Sequence, residues 1–448
     1  MFPLPRDRSV RPRRAVSMRF LFTGGGTLGS VTPLLAVAEE IRAVLPVAEI
    51  LWVGTADGPE SRLVGESGLT FRAVSAGRFR RYFTLRNVAD LWRIARGFFE
   101  ARRLLREYRP AVVVSAGGFV AVPVVWAAAT LKIPVHVHQL DLRPGLANRL
   151  SLPFARSLSV SFEKSLRDFR RPAPVWTGTP VRRSLWSGDR QAAAKIFNLE
   201  SDVPTVLVTG GGTGAAALND LVRRAAPAIA GRAQILHLTG LGKAVPWPDD
   251  RGRYRQREFL TGEMVQAYAL ADLVVTRAGI GALAEIAALG KPAVIVPIAG
   301  SHQEENAAYF AAAGTVTVDE RAASPKAFAE LVIALLEDVP RRRAMGAGLM
   351  TLTKPNAAAA VAALVLGLAA PGLTGAEKSA KVADSHLPPG ASMPLTSTDS
   401  QYRPSPLSES ERQAIRDFLQ KLAQRRSSAP TFETPNGQLP ADKQSDTL

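Results

Sequence analysis

One short sequence pattern occurs twice in this chain and constrains its fold more than any other feature. Residues 20–38 read FLFTGGGTLGSVTPLLAVA, and residues 206–221 read VLVTGGGTGAAALNDL. Each copy has a short apolar run, then Thr-Gly-Gly-Gly-Thr, then a stretch that suits a helix, which is typical of a strand entering a helix through a glycine-rich turn. The free N–H groups at the start of such a helix favour a bound anion, usually a phosphate. The two copies therefore predict two similar α/β domains with a cleft between them.

Further apolar runs follow each copy. They predict strands at 49–53, 71–74, 111–115, 135–138, 157–161 and 175–177 in the first half, and at 234–238, 273–276, 293–297 and 315–318 in the second. Stretches of helical composition separate most of them, and this alternation favours parallel sheets. The sequence at 138–141, His-Gln-Leu-Asp, is polar at the end of a strand, where an open parallel sheet places its ligand-binding loops.

Composition sets the broad class of protein. The chain has 448 residues, of which 46% are hydrophobic, so it is long enough for two globular domains. It has no cysteine, which excludes a disulfide framework or a thiolate metal site. The formal net charge of +17 indicates an anionic partner: nucleic acid, anionic lipid or a phosphorylated substrate. No apolar run approaches the roughly 20 residues that cross a bilayer.

Much of the positive charge lies between residues 77 and 109, which contain ten arginines and three acidic residues. Apolar residues at helical spacing predict an ordinary domain helix over 88–105. The stretch before it mixes aromatic residues with arginines, which favours contact with an anionic membrane surface, although nucleic acid can use the same chemistry. The residues of this basic aromatic segment are Arg78, Phe79, Arg80, Arg81, Tyr82 and Phe83.

The two ends of the chain differ in composition from the rest. Residues 1–17 carry five arginines without an apolar core, which argues against a secretory signal. They are predicted to be a disordered basic leader, with Met18 as an alternative start. Residues 371–448 are rich in Ser, Pro and Thr and are predicted to be a disordered tail with one possible helix at 408–423.

Several motifs in one order resemble the MurG family, from about residue 19 to residue 366. Residues 25–33, Gly-Gly-Thr-Leu-Gly-Ser-Val-Thr-Pro, are similar to the family's first loop. The resemblance continues at 54–57, 117–119, 134–148, 178–182, 210–219, 277–285 and 302–307. This family transfers N-acetylglucosamine from UDP-N-acetylglucosamine to undecaprenyl-pyrophosphoryl-muramoyl-pentapeptide, converting lipid I to lipid II in peptidoglycan synthesis. It has the GT-B architecture, an α/β fold with two Rossmann-like domains facing a cleft, in agreement with the repeated pattern.

The resemblance implies a division of the chain. Residues 18–177 are expected to form the N-terminal Rossmann-like domain, which holds the lipid acceptor and meets the membrane. Residues 178–345 are expected to form the C-terminal domain, which holds the UDP-sugar. Residues 346–370 are expected to form a helix that returns to the N-terminal domain.

The resemblance also implies roles in donor binding. Glu285 would accept hydrogen bonds from both ribose hydroxyls, which suits a carboxylate; the alternative is an ordinary helix residue facing solvent. Arg182 and the second glycine turn would stabilise the diphosphate through a guanidinium and a helix N-terminus. The 259–260 segment would meet uracil, and the residues at 303 and 306 would meet the sugar. The complete predicted donor set is Arg182, Gly211, Gly212, Thr213, Gly214, Phe259, Leu260, Arg277, Gly279, Glu285, His302, Gln303 and Asn306.

The acceptor side departs from the family pattern. The family's first loop usually ends in Gly-Gly-His, whereas this chain has Leu28-Gly29-Ser30, and the family's His-Glu-Gln-Asn motif is His-Gln-Leu-Asp at 138–141. The predicted catalytic residues are therefore His138 as general base and Asp141 as its orienter or as the alternative base. A structural role for His138 is the competing interpretation. The predicted acceptor-binding residues are Thr27, Gly29, Ser30, Gly118 and Asn148.

The leading hypothesis is an inverting glycosyltransferase, peripheral at the cytoplasmic face of the cell membrane, that needs no cofactor and no obligatory metal. Its predicted partners are UDP-N-acetylglucosamine, the lipid-linked acceptor and an anionic membrane surface. Two alternatives are a UDP-sugar enzyme such as a 2-epimerase and a noncatalytic module that binds a nucleotide-sugar. Nucleic-acid binding rests on charge alone and is not favoured.

Overall fold

The computed structural model describes residues 18–26, 28–77, 85–211, 214–246 and 252–369. The predicted leader, the basic aromatic segment and the predicted tail with its possible helix lie outside the described residues. So do three predicted site residues, Thr27, Gly212 and Thr213.

The first half of the chain forms one parallel sheet. Its strands are β1 (Arg19–Thr23), β2 (Glu49–Gly54), β3 (Thr70–Ala73), β4 (Val112–Ser115), β5 (Val135–Gln139), β6 (Ser157–Val160) and β7 (Pro174–Trp176). Its helices are α1 (Thr32–Val44), α2 (Glu60–Glu66), α3 (Leu85–Tyr108), α4 (Ala121–Thr130) and α5 (Leu146–Ser151). The strand order is β3-β2-β1-β4-β5-β6-β7. Each strand pairs in parallel with its neighbour, as a Rossmann-like domain requires.

The second half repeats this design. Its strands are β8 (Thr205–Thr209), β9 (Gln234–Leu238), β10 (Tyr254–Arg257), β11 (Leu273–Thr276), β12 (Ala293–Ile295) and β13 (Val316–Thr317). Its helices are α6 (Arg190–Phe197), α7 (Ala216–Ala230), α8 (Met264–Leu270), α9 (Ile280–Ala288), α10 (Gln303–Ala311), α11 (Pro325–Glu337), α12 (Val339–Met350) and α13 (Ala357–Ala369). The strand order is β10-β9-β8-β11-β12-β13, and all pairs are parallel.

The two glycine turns occupy equivalent places in the two sheets. They follow β1 and β8, and in both sheets the strand order changes direction beside that strand. A crevice forms at such a switch point, outside the carboxyl ends of the strands. The apolar runs before the turns are central strands covered on both faces, so Phe20, Leu21 and Phe22 are all fully buried. The predicted fold class, two Rossmann-like α/β domains facing a cleft, is confirmed.

The last described helix returns to the first domain. α13 packs against α1 and against β4, β5 and β6. Its sequence is rich in alanine, which allows a close approach to the sheet. Just before it, Lys354 donates from Nζ to the Trp176 carbonyl at 3.1 Å and lies 4.2 Å from the centre of the Trp176 ring. The chain therefore crosses between the domains twice, near residue 178 and near residue 354.

Candidate active site

A cleft of about 720 Å³ lies where the carboxyl ends of the two sheets face each other. The first domain contributes the loops after β1, β4 and β5, and the second contributes the loops after β8, β10, β11 and β12. The predicted site residues that line it are Gly29, Ser30, Gly118, Asp141, Arg182, Gly211, Gly214, Phe259, Leu260, Arg277, Gly279, Glu285, His302 and Gln303.

Glu285 is the centre of a buried polar group in this cleft. It lies inside α9, and its side chain accepts from Arg182 at 3.1 Å and from the Tyr268 hydroxyl at 3.2 Å. The side chains of the ion pair are only 10% and 8% exposed, so Glu285 is not the solvent-facing residue of the alternative interpretation. Burial raises the pKa of Tyr268 well above its usual value, and the negative charge of Glu285 raises it further. The phenol therefore stays protonated and donates to the carboxylate.

The turn after β11 is held by side chains from α10. The Ala278 N–H donates to Gln303 Oε1 at 3.2 Å, and Asn306 Nδ2 donates to the Ala278 carbonyl at 3.0 Å. Arg277 donates to the carbonyls of residues 296 and 297 and forms an ion pair with Glu320 at 2.6 Å. Gln303 lies at the cleft, whereas Asn306 is fully buried behind it. In this structure these residues fix the backbone beside Glu285.

The second glycine turn presents backbone groups to the cleft. Gly211 has φ of 81° and Gly214 has φ of 67°, a region that favours glycine. A Cβ at position 214 would lie 2.2 Å from the Thr239 carbonyl oxygen, so no side chain fits there. The first residues of α7, from Ala216 on, also line the cleft. A 15-residue helix therefore points its N-terminus into the site, where it attracts negative charge.

Not all of the residues predicted to bind the acceptor, which belong to the first domain, lie at the surface of the cleft. Ser30 lines it, and its buried hydroxyl has no hydrogen-bond partner among the residues that the structure describes. Asn148 does not line the cleft, because it is 6% exposed and donates to Gln139 Oε1 at 2.6 Å. Gln139 in turn donates to the carbonyls of Asp141 and Arg143 at 2.7 and 3.1 Å. Asn148 therefore supports the loop that carries Asp141.

The structure does not place His138 at the cleft. The residue is fully buried, and its ring nitrogens lie 2.7 and 3.1 Å from the hydroxyls of Ser159 and Ser161. His136 makes the same kind of contact with Ser157 and Ser159, so the two histidines form a polar ladder between β5 and β6. Burial, together with the neighbouring His136, lowers the pKa of His138 to about 3. The prediction of His138 as general base is corrected on this ground: the ring is enclosed and both nitrogens are occupied.

Asp141 lies at the cleft and meets the other domain. His302 and Asn306, from the second domain, lie close enough to its carboxyl group to act on its pKa. Burial raises the pKa of Asp141, and these two neighbours oppose that effect. A carboxylate of raised pKa is a stronger base than an ordinary aspartate, which suits proton removal.

Other contacts also join the two domains. The Arg62 guanidinium lies 5.9 Å from the centre of the Phe259 ring, and Phe162 packs edge-on against Tyr309 at 4.9 Å. A Cβ at Gly281 would lie 3.3 Å from the Gly29 Cα, so the start of α9 approaches the first loop closely. Residues from both domains therefore line one cleft.

Comparisons with known proteins agree with this arrangement. The glycosyltransferase family 28 N-terminal domain matches residues 20–160, and the C-terminal domain of that family matches residues 205–361. The UDP-N-acetylglucosamine--N-acetylmuramyl-(pentapeptide) pyrophosphoryl-undecaprenol N-acetylglucosamine transferase of Shouchella clausii (strain KSM-K16) is 41% identical over 280 residues, covering 62% of this chain and 78% of that protein. The Legionella pneumophila (strain Lens) protein of the same name is 35% identical over 334 residues, covering 73% and 90%. Acinetobacter baumannii MurG superposes with a TM-score of 0.57 at 24% identity, covering 78% of this chain and 99% of that one.

The chain belongs to the MurG family. It is a glycosyltransferase of family 28, and the family resemblance read from its motifs is confirmed. A putative UDP-N-acetylglucosamine 2-epimerase from Listeria monocytogenes also superposes, with a TM-score of 0.59 at 12% identity over 78% of this chain and 96% of that one. That likeness shows the shared fold alone.

Two residues that support the charged side chains of this MurG-family cleft were missed by the sequence analysis. Tyr268 supports Glu285 from α8, and Glu320 pairs with Arg277 beside the cleft. The signal for Tyr268 is weak, because one tyrosine in an apolar helix normally indicates core packing. Among the described residues, no group of three or more His, Asp or Glu side chains is arranged to hold a metal ion. The absence of an obligatory metal therefore stays a prediction. None of the helices in the described part of the chain has the length and apolar character needed to cross a bilayer.

Proposed function

We propose that this chain transfers N-acetylglucosamine from UDP-N-acetylglucosamine to undecaprenyl-pyrophosphoryl-N-acetylmuramoyl-pentapeptide with inversion at the anomeric carbon. The observation that carries the proposal is the cleft itself. It combines a helix N-terminus and glycine turn for a diphosphate with a buried carboxylate for a ribose diol, and relatives with the name of this activity match both domains.

In the proposed donor complex, the diphosphate lies between Arg182 and the turn at Gly211 and Gly214. The guanidinium and the N-terminus of α7 neutralise the charge that develops on the leaving UDP. Glu285 keeps lone pairs beyond those used by Arg182 and Tyr268, and these accept the ribose hydroxyls. The backbone at Phe259 and Leu260 meets uracil. Gln303, which holds the Ala278 N–H, faces the sugar.

In the proposed reaction, a hydroxyl oxygen of the muramoyl sugar attacks the anomeric carbon of the donor. A new carbon–oxygen bond forms as the bond to the UDP oxygen breaks, and the electron pair leaves with UDP. Asp141 takes the hydroxyl proton, because it lies at the cleft with a pKa raised by burial. His302 and Asn306, which belong to the domain proposed to bind the donor, act on the pKa of this carboxyl group.

The proposal includes contact with an anionic membrane surface. α3 begins directly after the basic aromatic segment, and its Trp92 and Phe99 side chains are 74% and 68% exposed. Arg96 and Arg103 lie at the same helical spacing, and each forms an ion pair with the glutamate one turn further on, Glu100 and Glu107. This face of α3 therefore carries exposed aromatic side chains beside ion-paired arginines. Exposed large aromatic residues beside arginines suit the headgroup region of a bilayer.

A sedimentation experiment tests the membrane contact. The double variant Trp92→Ser, Phe99→Ser should bind vesicles of 30% anionic phospholipid several-fold more weakly than wild type, since it loses apolar burial and keeps its charge. The control is Ile196→Ser, a residue of the second domain that is 47% exposed on α6. Equal losses for the double variant and the control would contradict a membrane role for this face.

The transfer assay tests the function. Purified protein is incubated with radiolabelled UDP-N-acetylglucosamine and the lipid-linked acceptor, and the products are separated and identified. A lipid-linked disaccharide with one UDP released for each sugar transferred supports the proposal. Free N-acetylmannosamine would indicate a 2-epimerase, and donor binding without any product would indicate a noncatalytic module.

A further inference from the structure

A buried carboxylate of the first domain holds the chain where it enters the second domain. Glu40 lies in α1 and is only 3% exposed. Its Oε1 accepts from Arg183 Nε at 2.6 Å, and its Oε2 accepts from Arg183 Nη2 at 3.0 Å. The two residues are 143 positions apart in the sequence. Because the planar guanidinium meets both oxygens of the carboxylate, the ion pair fixes the orientation of Arg183.

The backbone at Arg183 belongs to the second domain. It begins a short 3₁₀-helix, Arg183–Ser187, which packs against α8. Just after this helix, the Asp189 N–H donates to Oε1 of Gln266, a residue of α8, at 3.0 Å. The same helix α8 carries Tyr268, which donates to Glu285 in the cleft. The Glu40–Arg183 ion pair therefore joins α1 of the first domain to the part of the second domain that supports Glu285.

The residue before Arg183 faces the cleft. The backbone at Arg182 is extended, with φ of −65° and ψ of 134°, so the two arginine side chains project in different directions. Arg182 lines the cleft, whereas Arg183 lines a separate cavity of about 250 Å³ together with Glu40. Arg182 donates from Nη2 to Glu285 at 3.1 Å, and its Nε has no partner among the residues that the structure describes. The guanidinium therefore keeps a donor for a ligand in the cleft.

Negative groups of both domains surround the two arginines. Burial opposes the positive charge of Arg182, but the carboxylates of Glu285 and Glu39 raise its pKa above the ordinary value. Glu39 and Glu40 are consecutive in α1, so this one helix supplies negative charge at both arginines. The helix begins two residues after Ser30, which lines the cleft from the first domain. α1 therefore links the first loop of the cleft to the arginines on the opposite wall.

We propose that Glu40 is a positioning residue for donor binding: it holds Arg183, fixes the backbone at residue 182 and so directs the Arg182 guanidinium at the diphosphate. This inference rests on the proposed function, in which Arg182 binds that diphosphate. Glu40 itself does not line the cleft. The affinity for the donor therefore depends on a side chain of the domain assigned to the acceptor.

The test compares the binding of UDP and of uridine to Glu40→Gln and to wild type, by calorimetry and by ligand-observed NMR. UDP carries the diphosphate, whereas uridine carries only the groups assigned to Glu285 and to the 259–260 segment. Glutamine keeps the shape of the side chain but presents an NH2 group to Arg183, so one of the two hydrogen bonds is lost. We expect the dissociation constant of UDP to rise about tenfold and that of uridine to stay within about twofold of wild type.

A second variant covers a failure of the first to fold. The Arg183 side chain is 38% exposed, so its charge reaches water when Glu40 becomes neutral, and Glu40→Gln should remain folded. Arg183→Lys keeps both charges but cannot meet both carboxylate oxygens in the same fork geometry. It should also weaken UDP and leave uridine unchanged, and it decides the question alone if Glu40→Gln does not fold.

Asp272→Asn is the matched control. Asp272 pairs with Arg190 at 2.8 Å, and its side chain is 25% exposed. It directly precedes β11, at the amino end of the second sheet and so opposite the cleft. This control should lower the unfolding temperature, as Glu40→Gln does, and leave both dissociation constants at the wild-type values.

The contrary results are distinct. An unchanged UDP affinity in a folded Glu40→Gln, or equal losses of UDP and uridine, would overturn the inference, because the ion pair would then only maintain the structure. A loss of UDP affinity in Asp272→Asn as large as that in Glu40→Gln would overturn it as well. Failure of wild type to bind UDP would refute the proposed donor site and this inference with it. UDP binding without any transfer by wild type would refute the proposed function alone, and the comparison of dissociation constants would still stand.

Discussion

The substitution Glu285→Gln tests the proposed donor site. The two oxygens of Glu285 bond Arg182 at 3.1 Å and Tyr268 at 3.2 Å, and the remaining lone pairs are those assigned to the ribose diol. Glutamine keeps the shape but replaces one accepting oxygen with an NH2 group. A hydrogen bond to a charged group contributes about 1.5–3 kcal/mol. The loss of one such bond raises the dissociation constant of UDP-N-acetylglucosamine roughly ten- to hundredfold, at about 1.4 kcal/mol for each factor of ten.

Glu285 is replaced by glutamine and not by alanine because it is the ion-pair partner of Arg182. The arginine side chain is 10% exposed, and removal of its partner would leave a buried charge unpaired, at a cost of about 3–5 kcal/mol in stability. Glutamine keeps one acceptor for the guanidinium, so the variant should remain folded. The unfolding temperature is measured beside the binding to confirm this.

The assay is isothermal titration calorimetry with UDP-N-acetylglucosamine, which reports affinity and stoichiometry together. Glu330→Gln, an exposed residue of α11, serves as the control for a change of charge. A dissociation constant for Glu285→Gln within twofold of wild type, at unchanged stoichiometry, would refute the assignment of Glu285 to the ribose.

Two further predictions concern titratable groups. Burial lowers the pKa of His136 and His138 to about 3 and that of His237 to about 4, so the unfolded chain binds protons below pH 6.5 that the folded chain cannot bind. The contribution of these histidines to the free energy of unfolding is therefore fully present above about pH 6.5. It falls as the pH decreases, by about 2 kcal/mol for each histidine at pH 5. Equal free energies of urea unfolding at pH 7 and pH 5 would contradict this. The substitution Asp141→Asn should lower kcat by about 10²–10⁴ with unchanged donor affinity, because the base is lost. Since burial raises the pKa of Asp141, the acidic limb of the wild-type pH–rate profile should lie above the usual range of an aspartate, and a variant with wild-type kcat would exclude Asp141 as the base.

Most of the architecture was predictable from local sequence. The two Thr-Gly-Gly-Gly-Thr turns and the apolar runs identified the central strands, because strands of a parallel sheet are apolar on both faces. The edge strand β10 was missed. Its sequence, Tyr-Arg-Gln-Arg, has little apolar character, so the search for apolar runs did not identify it as a strand.

The error over His138 has an identifiable physical cause. A histidine at the end of a strand was assigned to the ligand-binding loop. In the structure, the side chain of this β5 residue instead contacts the serine hydroxyls of β6 and of the residue just after it. The sequence does contain a signal for this. His136 and His138 alternate in β5, and Ser157, Ser159 and Ser161 alternate at the same period in and just after β6, which matches a polar ladder on one face.

The supporting residues of the site depend on long-range contacts. Glu60 meets Gly26 from 34 positions away, and Arg182 meets Glu285 from 103 positions away. Spacing in the sequence carries no information about such pairs. They follow from the topology, which brings the loops at the carboxyl ends of the strands together.

The proposed donor site is tested most directly by a crystal structure of the protein with UDP-N-acetylglucosamine. We expect one ligand in the cleft, with uracil at Phe259 and Leu260, the ribose hydroxyls on Glu285, and the diphosphate between Arg182 and the turn at Gly211 and Gly214. A diphosphate bound at Gly26 instead, or a nucleotide outside the cleft, would contradict this assignment.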